Sequence, residues 1–198
     1  VILSFPIIGL ILYFVMEKSR LAKKFYMEYE RVLNVQGDIL KEKEEDRTAL
    51  KELNPLVSGQ SVYLRDCSDS PLYQNTITEY YRVGEDWFAK YIEELKKAEH
   101  YIFLEYFIIA EVYMWDTVLD ILVEKASKGV DVRLIYDDFG CITTLPPRYY
   151  KSLQGKGIKC AAFNPVRPVL NLILNNRDHR KITVIDGHTA FTGGMNLA

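Results

Sequence analysis

The run Tyr101-Ile-Phe-Leu-Glu-Tyr-Phe-Ile-Ile109 most narrows what this chain can become. It is almost continuously apolar, the pattern of a strand buried on both faces. Downstream of it, helical and strand patterns alternate. Trp115, Val118, Leu119, Leu122 and Ala126 recur at helical spacing until Gly129, and Val130 to Tyr136 reads as a second strand. A short helix follows Pro147, and Ile158 to Phe163 reads as a third strand. Upstream, Trp87, Phe88, Tyr91, Ile92 and Leu95 form a helical stripe. Strand, helix, strand, helix, strand at these lengths predicts an α/β domain with a mixed, largely parallel sheet flanked by helices.

Composition excludes several other classes. The 198 residues suffice for one substantial domain, and a hydrophobic content of 48% excludes a disordered polar chain. Cys67, Cys141 and Cys160 show no metal-ligand spacing and fit reduced thiols rather than a disulfide scaffold. A net charge of −2 offers no general basic field, so no nucleic-acid partner is expected. The average conceals an asymmetry, because Val1 to Met16 carry no charge at all. As a helix this run would reach about 24 Å, short of a hydrocarbon core of about 30 Å. Its basic residues (Lys18, Arg20, Lys23 and Lys24) come after it, the reverse of a secretory signal. Residues 1–16 are therefore expected to be a truncated transmembrane helix with a cytoplasmic basic flank and Tyr13 and Phe14 at the interface, the alternative being a buried core helix. Residues 17–59, with balanced charges and a stop at Asn54-Pro55, read as a helical charged connector. The catalytic part is expected over 60–198, and the abrupt ends read as those of a fragment.

The chemistry concentrates in Asn175-Asn-Arg-Asp-His-Arg-Lys-Ile-Thr-Val-Ile-Asp-Gly-His-Thr-Ala-Phe-Thr-Gly-Gly-Met-Asn196. Lys181 to Ile185 is a strand, Asp186-Gly187 a hairpin turn signal, and Thr189 to Thr192 the returning strand. His179 and Lys181 are two apart and so project from one face. A neutral imidazole beside an ammonium suits attack on a phosphodiester, the imidazole as nucleophile and the lysine compensating charge on the non-bridging oxygens. Gly193 and Gly194 let backbone amides approach an anion, and Asn196 offers a donor to the same oxygens.

The spacing His-x-Lys-x4-Asp-x6-Gly-Gly-x-Asn is met by His179, Lys181, Asp186, Gly193, Gly194 and Asn196. It resembles the HKD motif of the phospholipase D superfamily. Gly84-Glu85, Phe103 to Ile109, Met114-Trp-Asp116, Tyr136 to Cys141, Phe163-Asn-Pro165 and Asn175 to Lys181 are similar to bacterial cardiolipin synthases. The resemblance runs from about Gln60 onward and implies a phospholipase D-like half-domain whose site is completed by a second HKD half of the same polypeptide. It implies transfer of a phosphatidyl group between two phosphatidylglycerol molecules at the bacterial cell membrane, on the cytoplasmic side. One histidine would form a covalent intermediate and the other serve as general acid and base, with neither metal nor other cofactor. The chain holds one motif, so the fragment alone is expected to be inactive, and one half-site does not decide which histidine is the nucleophile. A hydrolytic lipase or nuclease with water as acceptor, and a non-catalytic membrane module, are the other classes considered.

The catalytic set is thus His179, Lys181 and Asp186, the last read as fixing the hairpin, with Asn196, Gly193 and Gly194 binding phosphate. Glu105 and Arg177 are candidate supporting residues. Glu105 interrupts an apolar strand and needs either a structural partner or a place at the site. Asp137 and Asp138 are read as polar residues at a strand C-terminus rather than metal ligands. Arg167, Arg177, Arg180 and Lys181 bracket the apolar Val169 to Leu174, which either dips into the membrane interface or packs internally.

Overall fold

The computed structural model describes residues 40–166 and 177–198, with isolated positions between 7 and 35. The chain divides into two compact units, 1–79 and 80–198. In the first, helix α1 (Glu44–Leu53) leads to α2 (Pro55–Ser68). Asn54 joins them: its side chain accepts the Val57 N–H at 3.2 Å, and Pro55 takes the first helical position, where its missing donor is not needed. Helix α2 runs unbroken through residue 60, where the catalytic half was expected to begin. The compact α/β unit comprises residues 80–198. No helix among the described residues is long and apolar enough to cross a membrane. The helix expected over 1–16 lies outside those residues, apart from Ile7, Gly9 and Leu10, as do Arg167 and the apolar segment 169–174.

The second unit contains strands β1 (Tyr101–Tyr106), β2 (Asp131–Asp137), β3 (Lys159–Phe163), β4 (Lys181–Ile185) and β5 (Thr189–Thr192). They form one sheet in the order β3-β2-β1-β4-β5. The first three are parallel, and β4 and β5 join as an antiparallel hairpin. The sheet is mixed, with antiparallel pairings as numerous as parallel ones. Helix α3 (Gly84–Lys97) precedes β1, while α4 (Tyr113–Ser127) and α5 (Tyr149–Gly155) make the two crossovers.

Burial along β1 alternates: Ile102, Leu104 and Tyr106 are buried, while Tyr101, Phe103 and Glu105 are only half-buried. Helices flank the sheet as expected, but the burial of this strand on both faces is not found among the described residues. Steps from β1 to β2 to β3 run in one direction, and right-handed crossovers then place both connecting helices on one face. The opposite face carries Phe103, Glu105, Arg133, Ile135 and Val184, all half-buried or exposed.

Local chemistry sets the element ends. Helix α3 opens with Glu85 and Asp86 and closes with Lys96 and Lys97, each complementing the helix dipole. After α4, Gly129 adopts φ +93° and the Val130 N–H returns to the Lys125 carbonyl at 3.1 Å, a closure that aims the chain into β2. Asp186 and Gly187, at φ 51° and 74°, form the left-handed pair of a tight hairpin turn. Trp115 donates its indole N–H to the Tyr149 hydroxyl at 2.9 Å, locking α4 to α5.

Between α3 and the sheet, the Thr183 hydroxyl meets those of Tyr91 at 2.9 Å and Tyr106 at 3.1 Å, all three buried. Buried hydroxyls that keep partners stabilise, and orphaned ones cost the full desolvation of the group. Thr183→Val should therefore lower the stability of the folded unit by about 1–3 kcal/mol in urea unfolding. An unchanged midpoint would show that this network carries no net stability.

Candidate active site

β4 starts where β1 ends, with Lys181 opposite Tyr106, so residues 177–180 lie beyond the C-terminal edge of β1. There His179 is exposed and Lys181 is buried. The Lys181 Nζ stands 3.2 Å from His179 Nδ1 and donates to the His179 carbonyl at 2.6 Å. An ammonium can only donate, so this contact needs a lone pair on Nδ1 and puts the ring proton on Nε2. Burial pushes the Lys181 ammonium below its ordinary pKa, with the charge of Asp178 opposing the shift.

Asn196 is drawn to the same edge by the segment after β1. Its Oδ1 accepts the Ile108 N–H at 3.1 Å, leaving the amide NH2 as donor. Leu197 pairs beside it, donating to the Ile108 carbonyl and accepting from Ala110. Gly193 and Gly194 are both exposed, and a Cβ built on either would meet nothing within 4 Å. The lobe itself therefore does not demand glycine at these two positions.

Asp186 is not brought to His179. It lies at the far end of β4, where its carboxylate accepts the backbone N–H groups of Glu99, His100 and Tyr101, each at 2.8 Å. Burial raises its pKa, but these three donors outweigh it and hold the carboxyl below its ordinary range. The bonds clamp the hairpin turn onto the start of β1.

Both supporting candidates have partners. Glu105 Oε1 pairs with Arg180 Nη2 at 2.7 Å, and Arg180 Nε reaches Asp178 Oδ1 at 3.0 Å. Burial pushes Glu105 up to about 7, and its hydrogen bond with Asp178 adds to this, while Arg180 opposes it. Burial also raises Asp178, but bonds from Glu105 and Arg180 prevail and hold it low. Arg177 reaches the Asn164 carbonyl at 3.2 Å and Asp137 at 3.4 Å, with its guanidinium over the Phe139 ring at 4.9 Å.

Three residues of the site carry no signal in the motif. Asp137 accepts the Asp178 N–H at 3.0 Å and the Gly140 N–H at 2.9 Å. Asp138 accepts the Val166 N–H at 2.8 Å, so both strand-end aspartates serve the backbone. No group of three or more His, Cys, Asp or Glu among the described residues is placed to hold a metal ion. The third is Phe107, whose ring centroid lies 4.5 Å from that of His179. Inside a continuous apolar run it reads as core.

Two of these carboxyls make stability depend on pH, with opposite signs. Asp186, with a lowered pKa, stabilises fully above the ordinary aspartate value of 3.8, and this is lost as pH falls through its folded value. Asp186→Asn should cost about 1–3 kcal/mol at neutral pH and remove that acid dependence; equal unfolding curves across acid pH would refute the clamp. For Glu105, between 4.5 and about 7 the folded state keeps a proton that the unfolded chain has lost, so stability falls as pH rises. Glu105→Gln should flatten that slope in urea unfolding at about pH 5 and about pH 7.5. An unaltered slope would show that the carboxyl pair shares no proton.

A family model described as cardiolipin synthase, PLD-like domain, matches residues 91–198. An uncharacterized protein of Streptococcus mutans is 38% identical over 211 residues, spanning 100% of this chain and 43% of that protein. A cardiolipin synthase of Geobacillus sp. is 36% identical over 203 residues, spanning 98% of this chain and 39% of the relative. The chain thus covers about two fifths of the length of these relatives. Among solved structures, a phospholipase D family member, Nuc from Salmonella typhimurium, is similar at 19% identity over 56% of this chain and 64% of that one. Its TM-score of 0.39 is too low to carry an argument. The family match takes in more than half of the sequence, from α3 to the His179–Lys181 pair and Asn196, and the chain belongs to the cardiolipin synthase, PLD-like domain family.

Proposed function

We propose that this chain is one catalytic lobe of a membrane-anchored phosphatidyltransferase that joins two phosphatidylglycerol molecules into cardiolipin and releases glycerol. The observation that carries this reading is the exposed His179 imidazole held 3.2 Å from the Lys181 ammonium at the sheet edge where Asn196 also lies. In the reaction, His179 Nε2 attacks the phosphorus of one phosphatidylglycerol and the P–O bond to its glycerol headgroup breaks. Lys181 and the Asn196 amide take up charge on the non-bridging oxygens, and Gly193 and Gly194 leave room for the phosphate. A second HKD half of the same polypeptide supplies the other histidine, which protonates the departing glycerol. That histidine then accepts the proton of the second phosphatidylglycerol hydroxyl, whose oxygen displaces His179 from phosphorus.

The resting contact between Lys181 and Nδ1 has a consequence for the first step. Attack through Nε2 needs its lone pair, so the ring proton must pass to Nδ1 and the lysine must leave that nitrogen. An incoming phosphate draws the ammonium onto its oxygens, so substrate binding itself favours the change. Asp186 enters the scheme as a backbone clamp and Arg177 as a brace for the reactive segment. The charge-free residues 1–16 and the basic residues after them anchor the lobe to the cytoplasmic side of a bacterial membrane in this reading.

Incubating membranes containing the full-length protein with labelled phosphatidylglycerol tests the proposal. Cardiolipin and free glycerol are expected, with His179→Ala lowering the rate by roughly a thousandfold or more. Phosphatidic acid and glycerol would instead make water the acceptor and the protein a hydrolase. Absence of any product would leave a membrane module. A phosphatidyl adduct still trapped on this lobe in His179→Ala would remove the nucleophile role from His179.

A further inference from the structure

We propose that Phe107 is a positioning residue for both reacting side chains, and that the turn after β2, residues 137–141, holds Phe107 in place. The inference rests on the reaction proposed for His179 and Lys181, and it adds a residue that the HKD spacing does not contain.

Two contacts of one ring carry it. The Phe107 ring lies 4.5 Å from the His179 ring at an interplanar angle of 47°, and the Lys181 Nζ stands 5.1 Å from the Phe107 centroid. One ring thus touches both partners of the reactive pair. It limits the rotation of the imidazole, and its electron-rich face favours the charged form of a lysine that burial disfavours.

The ring packs against the turn, and the segment that follows it is tied by hydrogen bonds. A Cβ on Gly140 would stand 2.3 Å from the Phe107 carbonyl oxygen and 3.0 Å from two atoms of its ring. No side chain fits there, and glycine is what lets the turn lie directly on Phe107. The next residue, Cys141, accepts the Ile109 N–H on its Sγ at 3.2 Å. Asn196 and Leu197 also bond to Ile108 and Ala110, tying the phosphate-binding asparagine to the same short segment. Asp137 of the same turn accepts the Asp178 N–H, so the turn grips both the platform and the residue before the nucleophile.

Preorganisation of this kind acts on the transition state more than on substrate binding. In the full-length protein, Phe107→Leu and Gly140→Ala should each lower kcat for phosphatidyl transfer by roughly ten- to a hundredfold with KM changed less than about threefold. Phe107→Tyr, which keeps the ring, should stay within about twofold of the parent. Gly155→Ala, whose Cβ meets nothing within 4 Å, serves as the control. A readout independent of lipid chemistry is the rate at which diethyl pyrocarbonate modifies His179, followed by peptide mass spectrometry. Removing the ring should raise that rate about threefold or more, and restoring it as tyrosine should bring the rate back. If Phe107→Leu loses its fold by circular dichroism, Phe107→Met takes its place.

Parent-like kcat in the ringless variants overturns the proposal, as does an effect confined to KM or a His179 modification rate indifferent to the ring. A parent protein without transferase activity, in which the ring still governs His179 modification, would count against the proposed reaction and leave the positioning role standing.

Discussion

The Asp137 carboxylate, fully buried at the end of β2, meets the Asp178 N–H, the Gly140 N–H and the Arg177 guanidinium. A buried carboxylate without such donors would cost several kcal/mol, so the group and its partners are kept together or lost together. Its reach matters because β2 and β4 are not neighbours: β1 lies between them. By holding the chain just before β4, Asp137 fixes where the reactive segment crosses the sheet edge. Arg180 adds a second tie through Glu105 on β1.

The acidic groups near the motif therefore do mechanical work. Asp137 holds the segment, Asp178 and Glu105 hold Arg180, and Asp186 clamps the opposite end of β4 to the start of β1. Among the described residues none of them is hydrogen-bonded to a nitrogen of His179. The imidazole is oriented by a cation and a ring, through Lys181 and Phe107. With no carboxylate on either ring nitrogen, the tautomer is set by the Lys181 ammonium alone, a contact that a competing anion can release.

The order of elements was readable because each rests on local signals: the stripe of α3, the glycine after α4, and the Asp186-Gly187 turn. Sheet polarity and layering were less so. The apolar density of Tyr101 to Ile109 suggested cover on both faces, but aromatic residues such as Phe103 remain half-buried. Hydrophobicity reports how much a side chain gains from burial, and it does not name what will cover it.

The linear pattern alone singled out His179, Lys181 and Asn196, because the first two lie two residues apart at the entry to one strand and the third ends a spacing that few unrelated chains would meet. It also placed Asp186 at a turn, since an Asp-Gly pair between two apolar runs has few other uses. Chain order could not show that Phe107, Asp137 and Gly140 converge on the same edge. These residues lie between 39 and 72 positions before His179 in the chain, and only the parallel pairing of β1 and β2, with β4 laid antiparallel beside them, closes that distance. Long-range pairing depends on which faces and edges remain after every local element has formed, and no single segment contains that information.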